Sequence, residues 1–246
     1  MRKRGVSPNL QDKLVQRQEV QIGHVRCVLS HPLKMVADLR PMGSTWPLGP
    51  VAAHFSMSLT PEATTAICAW LDLLLVWNAK LDLTAARTQV ELLDLMLADA
   101  FALSVRIPQG AQVVDVGVGA GAPGLALAIV RPDLRVTLVE PLAKRTAFLR
   151  TCLGRLDRLD VTIQRMKGDQ LATQSPGAFD VAISRATLSP PEWLALGTRL
   201  VRTGGDVWVL LARDAPPDPG KTSLEEDASY TLPTAGSSRR AVRYRV

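Results

Sequence analysis

The sequence predicts an α/β fold with a mostly parallel sheet, covered by helices on both faces and preceded by a small helical extension. From about residue 111 onwards, short runs rich in β-branched residues alternate with segments of helical periodicity, a pattern typical of crossover units in a parallel sheet. A glycine-rich stretch, DVGVGAGAPG at 115–124, directly follows the first run. These observations divide the chain into an arm over 1–56, a helical extension over 57–108 and an α/β domain over 109–246.

The arm over 1–56 has little periodicity and several residues that break regular structure. Its segment RPMGSTWPLGP at 40–50 contains three prolines and two glycines, which favour turns and loops. We expect the arm to be mostly disordered or loosely packed. An alternative is that it represents upstream sequence and that the natural chain starts at Met57.

The helical extension contains two amphipathic patterns. The first begins at Thr60, a good N-cap, with Pro61 at the first helical position, and its apolar residues, Trp77 included, recur at helical spacing. The second covers about 88–106. We expect two helices, with Trp77 in the core.

The α/β domain is predicted from runs rich in β-branched residues that alternate with segments of helical periodicity. The predicted strands are 111–117, 135–140, 160–165, 179–185 and 206–212, and the predicted helices are 122–131, 143–156 and 190–202. The glycines of RTGGD at 202–206 are predicted to end the last helix. After an exposed loop at 214–223, SYTLP and RAVRYRV are predicted to form an antiparallel hairpin at the edge of the sheet.

Composition indicates a soluble protein that is not exported. No apolar run reaches the roughly 18 residues that a membrane span needs, and no secretory signal is recognised at the N-terminus. The three cysteines are isolated and in no metal-ligand spacing. We therefore expect a cytoplasmic protein with reduced thiols and no metal site, and we expect it to be a monomer.

The net charge of +6 is unevenly distributed along the chain. The arm holds eight basic and three acidic residues, and four arginines lie near the C-terminus: Arg239, Arg240, Arg243 and Arg245. The remaining residues comprise 17 basic and 20 acidic ones. Basic ends could bind phosphate, but charged ends are more often simply solvated.

The glycine-rich stretch fits two kinds of cofactor site. Gly119, Gly121 and Gly124 match the GxGxxG pattern of dinucleotide-binding folds, which would suit a nicotinamide oxidoreductase. Asp115 with Gly117, Gly119 and Gly121 matches the acidic residue followed by GxGxG of S-adenosylmethionine-binding folds. A turn that serves only tight packing is the third alternative, although each glycine costs conformational entropy on folding.

Two acidic residues bear on that choice. Glu140 ends the second predicted strand, about 20 residues after the loop, where either fold places an acid that binds ribose hydroxyls. Asp115 favours the sulfonium cofactor, because a carboxylate would repel a pyrophosphate and attract a cation.

Beyond the glycine loop, the sequence resembles the RsmG family, also called GidB. The resemblance rests on the segments WNAKLDLTAARTQVELLDLMLADAFAL, VVDVGVGAGAPGLALAIVRPDLRVTLVEPLAKRTAFLR and FDVAISRA, in that order, and it spans about residues 58–245. The family implies a Rossmann-like class I fold with a seven-stranded sheet. It also implies transfer of methyl from S-adenosylmethionine to N7 of a guanine in bacterial 16S ribosomal RNA of the small subunit.

The resemblance also implies roles for particular residues. Gly117 and Ala122 match loop positions that touch the cofactor, and Lys167 and Gly168 match positions beside its adenine. Glu140 matches the ribose-binding acid. Arg185 of the segment SRA matches an arginine that binds the cofactor at the mouth of the active site. Lys144 and Arg145 match a basic pair, which either contacts RNA or is solvated.

Several residues depart from the family pattern. Asp82 stands where the family usually has Asn in NLT, Leu95 and Met96 stand where it has an Arg-His pair, and Ala100 follows Asp99 where it has DS. Ala120 replaces a loop proline. The substrate side therefore leaves two alternatives: the same fold with a changed substrate, or a non-catalytic protein that binds RNA or assists ribosome assembly.

Overall fold

The computed structural model describes residues 45–246 and, of the preceding stretch, the strands β1 (Glu19–Ile22) and β2 (Val25–Val28), which pair antiparallel. The described residues before position 38 and those after it belong to two separate compact units. The remaining residues of the predicted arm lie outside the described residues. No helix in the described part of the chain is both long and apolar enough to cross a membrane.

The second unit begins with three helices, α1 (Leu48–His54), α2 (Pro61–Leu81) and α3 (Gln89–Ser104). The predicted cap of α2 is confirmed, because the Thr60 hydroxyl accepts a hydrogen bond from the Ala63 amide at 3.1 Å. Thr88 caps α3 in the same way, through the Glu91 amide at 3.2 Å.

The chain then alternates between strands and helices, as the sequence predicted. The elements are β3 (Gln112–Val116), α4 (Gly124–Val130), β4 (Arg135–Val139), α5 (Ala143–Leu156), β5 (Thr162–Gln164), α6 (Gly168–Gln174), β6 (Phe179–Arg185), α7 (Pro190–Leu200), β7 (Val201–Leu211), β8 (Ser223–Thr231) and β9 (Ser238–Arg245). The sequence analysis did not predict α6, which has only seven residues.

One seven-stranded sheet runs in the order β5-β4-β3-β6-β7-β9-β8. The strands from β3 to β7 pair in parallel, and β8 and β9 form the predicted antiparallel hairpin at one edge. The order reverses at β3, because β4 and β5 lie on one side of it and β6 on the other. In open α/β sheets, ligands bind at the carboxyl ends of the strands beside such a reversal.

The core of the sheet is built from inward-facing apolar side chains of several strands. Val114, Ala182, Val207 and Tyr244 are fully buried in one cluster with residues of α6 and α7. Trp193 of α7 belongs to the same cluster and donates a hydrogen bond from Nε1 to the Trp208 carbonyl at 2.8 Å. Because strands buried on both faces read as apolar runs, this core explains why the strand pattern was visible in the sequence.

The glycines of RTGGD do not end α7, contrary to the prediction. The helix stops at Leu200, and the segment 202–206 lies inside β7. The pairing of β7 with β6 changes register between Phe179 and Val181. A Cβ on Gly205 would come within 2.9 Å of the Asp180 carbonyl oxygen. These glycines therefore allow close backbone approach at a strand irregularity.

The interpretation of residues 45–56 as disordered or loosely packed is wrong. Trp46 is only 6% exposed and its Nε1 donates a hydrogen bond to Asp72 of α2 at 2.9 Å. Leu48 and Val51 of α1 are also buried, and α1 packs against α3. A short helix can be stable when tertiary packing buries its apolar face, so the prolines and glycines around it were a misleading signal.

Trp46→Ala is expected to lower the free energy of unfolding by about 3–5 kcal/mol, the usual cost of removing a buried aromatic side chain. A chain that begins at Met57 should lose at least as much, because it also lacks Leu48 and Val51. Chemical denaturation measures both. Gly49→Ala is the control, since nothing lies within 4 Å of its added Cβ; if Trp46→Ala were no less stable than this control, the packing of α1 would contribute nothing.

Candidate active site

A cavity of about 560 Å³ lies at the carboxyl ends of β3, β4 and β6. Each of these strands contributes a residue to its wall, namely Gly117 after β3, Glu140 after β4 and Arg185 at the end of β6. The helical extension also contributes to the lining, through Leu95 and Met96 of α3 and the segment 83–85. The volume is in the range of cavities that bind small molecules and cofactors.

The glycine loop is held by three side chains that bond its backbone. The Gly119 amide donates to Glu140 Oε2 at 3.1 Å, and the Gly124 amide donates to Asp115 Oδ2 at 2.7 Å. Trp70 of α2 donates from Nε1 to the Ala120 carbonyl at 3.0 Å. These bonds satisfy backbone groups that the loop itself leaves unpaired.

Glu140 is almost fully buried yet lines the cavity. Its Oε1 accepts from the Leu142 amide at 2.9 Å, and Arg145 Nη1 lies 3.8 Å from its Oε2. A carboxylate has about four lone-pair sites, so two backbone bonds leave acceptor capacity on both oxygens. Such a fixed acid is suited to accept hydrogen bonds from the two vicinal hydroxyls of a ribose.

Gly117 brings bare backbone to the cavity wall. Its φ is +75°, a conformation that glycine adopts without strain. A Cβ at this position would lie 2.1 Å from the Thr187 hydroxyl oxygen, because Thr187 packs directly over the loop. Thr187 and Ala186 also line the cavity, so the loop and the segment after β6 enclose one side of it.

Asp115 is fully buried beneath the loop and is not among the residues that line the cavity. Burial raises its pKa to about 7, while the hydrogen bond from the Gly124 amide opposes that shift. Its Oδ1 has no hydrogen-bond partner among the described residues. Asp115 therefore supports the loop from below, and its role in attracting a cationic cofactor remains a prediction.

Arg185 connects the sheet to the helical extension. Its Nη1 donates to Asp99 Oδ2 at 2.9 Å and to the carbonyl oxygen of Leu95. Asp99 is only 5% exposed, and its Oδ1 accepts from the Tyr230 hydroxyl at 2.6 Å. The arginine thus lies on the cavity wall, fixed by a buried carboxylate.

The structure brings some of the predicted cofactor residues together and leaves others apart. The cavity wall includes Gly117, Gly119, Ala122, Glu140 and Arg185. It does not include Gly121, which packs against Trp70 and Leu125, nor Lys167 and Gly168. Gly168 is buried against Val116 and Leu196, and Lys167 is exposed at the start of α6. The roles assigned to these three residues remain predictions.

The basic pair at the start of α5 is split by the structure. Arg145 is half-buried and lines the cavity beside Glu140, whereas Lys144 is exposed and outside the lining. The two residues therefore have different surroundings, although the sequence treated them alike. Arg145 faces the predicted cofactor acid, and Lys144 is available to a partner outside the cavity.

The departures from the family pattern lie at the helical side of the site. Leu95 and Met96 line the cavity, so apolar side chains occupy this wall. Asp82 ends α2 in the left-handed conformation with φ +47°. Both Asn and Asp tolerate that conformation, and Asp82 is exposed outside the cavity lining, so the change preserves the backbone.

Sequence reasoning missed three residues that shape the site: Trp70, Thr187 and Tyr230. Trp70 was visible only as an apolar position of α2, and its distant bond to Ala120 has no signal in the sequence. Thr187 follows the recognised SRA segment, so its nearness to the site could have been inferred. Tyr230 is 131 positions from Asp99, and nothing in the local pattern indicates the contact.

The comparison with known proteins agrees with this geometry. The family described as rRNA small subunit methyltransferase G matches residues 64–218. A protein named ribosomal RNA small subunit methyltransferase G, from Anaeromyxobacter sp. (strain Fw109-5), is 31% identical over 78% of this chain and 93% of its own length. Another with that name, from Anaeromyxobacter dehalogenans (strain 2CP-C), is 34% identical over 71% of this chain and 85% of its own. A crystal structure of a mutant of MtNAS shares the fold, with a TM-score of 0.50 and 18% identity over 75% of this chain and 68% of that one.

The order of the seven strands, the glycine loop at the point of reversal and the acid after the neighbouring strand define a methyltransferase of the Rossmann-like class I fold. More specifically, the chain belongs to the rRNA small subunit methyltransferase G family.

Gly117→Ala is expected to destabilise the protein more than Gly110→Ala. The two glycines have similar φ values, +75° and +71°, so both variants incur the cost of a positive φ, about 1–2 kcal/mol. Only at position 117 must Thr187 also move. Chemical denaturation of both variants measures the difference, and adding Thr187→Ala to Gly117→Ala should remove it. Equal losses in the two single variants would contradict the contact.

Asp115→Asn is expected to change how stability depends on pH. Because the folded-state pKa of about 7 lies above the ordinary aspartate value of 3.8, the contribution of Asp115 to the free energy of unfolding is greatest below pH 3.8 and is lost as the pH rises through about 7. Relative to the wild type, the free energy of unfolding of the variant should therefore rise by up to about 4 kcal/mol between pH 4 and pH 8. Urea titrations across that range test this. A constant difference would show that Asp115 is ionised throughout.

Proposed function

We propose that this protein transfers the methyl group of S-adenosylmethionine to N7 of a guanine in 16S ribosomal RNA of the small subunit. The observation that carries the proposal is the pairing of Glu140 with the glycine loop on one cavity wall, through the bond from the Gly119 amide. Family membership supports the choice of substrate, because the relatives are named ribosomal RNA small subunit methyltransferase G.

The cavity residues fit an adenosyl sulfonium donor. Glu140 offers free acceptor sites to ribose hydroxyls, and Gly117 and Gly119 leave no side chain between the cofactor and the backbone. When bound, S-adenosylmethionine supplies an electrophilic methyl group on a positively charged sulfur. Arg185 lies on the same wall of the cavity and can donate hydrogen bonds to an anionic group of the ligand.

Methylation at guanine N7 requires positioning more than proton transfer. N7 carries an in-plane lone pair, so no residue has to remove a proton from the reacting atom. Leu95 and Met96 line the cavity with apolar side chains and can contact the face of a purine. Holding the base in line with the methyl group contributes to the rate through proximity and orientation, on the order of several kcal/mol.

Near the cavity an exposed lysine is suited to contact RNA, whereas arginines near the C-terminus are paired with carboxylates. Lys144 is exposed near the rim, next to the half-buried Arg145. The C-terminal arginines are different, because Arg240 pairs with Asp227, and Arg243 and Arg245 pair with Asp206. We therefore assign RNA contact to Lys144 and a structural role to these three arginines.

The proposal is tested with labelled S-adenosylmethionine and small ribosomal subunits that lack this modification. The wild type should label 16S RNA, at a guanine whose N7-methylated form is detected by reduction and strand cleavage. Glu140→Gln should weaken binding of S-adenosylhomocysteine by at least about tenfold, because one amide oxygen cannot accept from both backbone amides and two hydroxyls.

Glu225→Gln is the matched control, since Glu225 is exposed on β8 and outside the cavity. It should leave both measurements unchanged. A wild type that binds S-adenosylhomocysteine yet labels neither the subunit nor its naked RNA would refute the choice of substrate. Equal binding by Glu140→Gln and wild type would refute the cofactor site.

A further inference from the structure

Asp99 lies where three distant parts of the chain meet. It belongs to α3, and its two carboxylate oxygens bond separate partners: Oδ2 accepts from Arg185 at the end of β6, and Oδ1 accepts from the hydroxyl of Tyr230 on β8. Only 5% of Asp99 is exposed. A buried carboxylate is tolerated when its oxygens are paired, so both bonds matter to its position.

Arg185 has a geometry suited to binding an anion in the cavity. The two hydrogens of Nη1 are directed to Asp99 and to the Leu95 carbonyl. Among the described residues, no partner is found for the N–H groups on Nε and Nη2, although the residue lines the cavity. A guanidinium fixed at one nitrogen can offer the other two as a planar fork to a carboxylate or a phosphate.

Tyr230 does not line the cavity. Its ring packs edge-on against Phe55 with the centroids 5.9 Å apart, and burial, with a smaller effect of Asp99, raises the pKa of its hydroxyl. The hydroxyl is therefore protonated and donates to Asp99 at neutral pH.

The hairpin that carries Tyr230 is attached to the helical extension at two further places. Asp94 of α3 accepts from the Thr234 and Ala235 amides at 3.0 and 2.9 Å, and Arg106 pairs with Glu226 at 2.9 Å. These contacts bring the hydroxyl to Asp99 whether or not the bond to Asp99 forms. The bond is thus available to orient the carboxylate instead of being needed to attach the hairpin.

We propose that Tyr230 is a positioning residue that acts through Asp99 to hold the Arg185 guanidinium at the cavity, where it binds an anionic group. The proposal rests on the proposed function above. Two anions fit the guanidinium: the carboxylate of the methyl donor and a phosphate of the RNA.

Tyr230→Phe removes the hydroxyl and keeps the ring. Tyr244→Phe is the matched control, because Tyr244 lies on the other strand of the hairpin and its hydroxyl donates to the Pro217 carbonyl at 2.7 Å, away from the cavity. Both variants should lose a few degrees in Tm, as expected for one buried hydrogen bond in a domain of this size.

Only Tyr230→Phe should weaken ligand binding, by about tenfold, as measured by calorimetry on the full chain. Weaker binding of S-adenosylhomocysteine identifies the anion as the carboxylate of the donor. Unchanged binding of S-adenosylhomocysteine with weaker binding of the unmethylated small subunit identifies it as an RNA phosphate. In an Arg185→Lys background, Tyr230→Phe should add no further loss, because the lysine lacks the fork that Asp99 orients.

Two results would overturn the proposal. In the first, Tyr230→Phe binds both ligands as well as Tyr244→Phe does. In the second, its effect simply adds to that of Arg185→Lys, which would indicate general destabilisation. These measurements use binding alone, so they remain decisive even if the wild type methylates no RNA, a result that would refute the proposed function without affecting the role of Tyr230.

Discussion

The backbone of the glycine loop is the constraint on which the site depends. A loop that offers bare amides and carbonyls to a ligand cannot satisfy them all by itself, and unpaired buried backbone groups are costly. Here the missing partners are supplied by Glu140 after β4, Asp115 of β3 and Trp70 of α2. The loop keeps an open shape because other elements stabilise it.

One of these bonds has a functional consequence. Glu140 binds the loop through Gly119 and also faces the cavity. The acid expected to bind the ribose is therefore the same group that fixes the position of the loop. Under the proposed function, cofactor binding and loop geometry are coupled through this one carboxylate, and Arg145 lies beside it as a partner of opposite charge.

The helical extension forms part of the candidate active site. Leu95 and Met96 of α3 form part of the cavity wall, while Asp94 and Asp99 of the same helix bind the C-terminal hairpin. The wall thus depends on contacts between residues near position 95 and residues near position 230. Residues 38–246 accordingly form one compact unit, in which the extension and the α/β domain are not separate bodies.

Local pattern in the sequence determined the class of fold, the glycine loop and Glu140, because strand runs, helical periodicity and short motifs are properties of neighbouring residues. Arg185 was indicated only by the resemblance to a known family. The tertiary structure decided the burial and the pairing of side chains, which depend on residues distant in the sequence. It placed Asp115 beneath the loop, separated Arg145 from Lys144, paired three C-terminal arginines with acids and joined Tyr230 to Asp99. The physical reason is that burial and pairing are set by residues tens to more than a hundred positions away, which leave no trace in the local pattern. The packing of α1 was missed for the same reason.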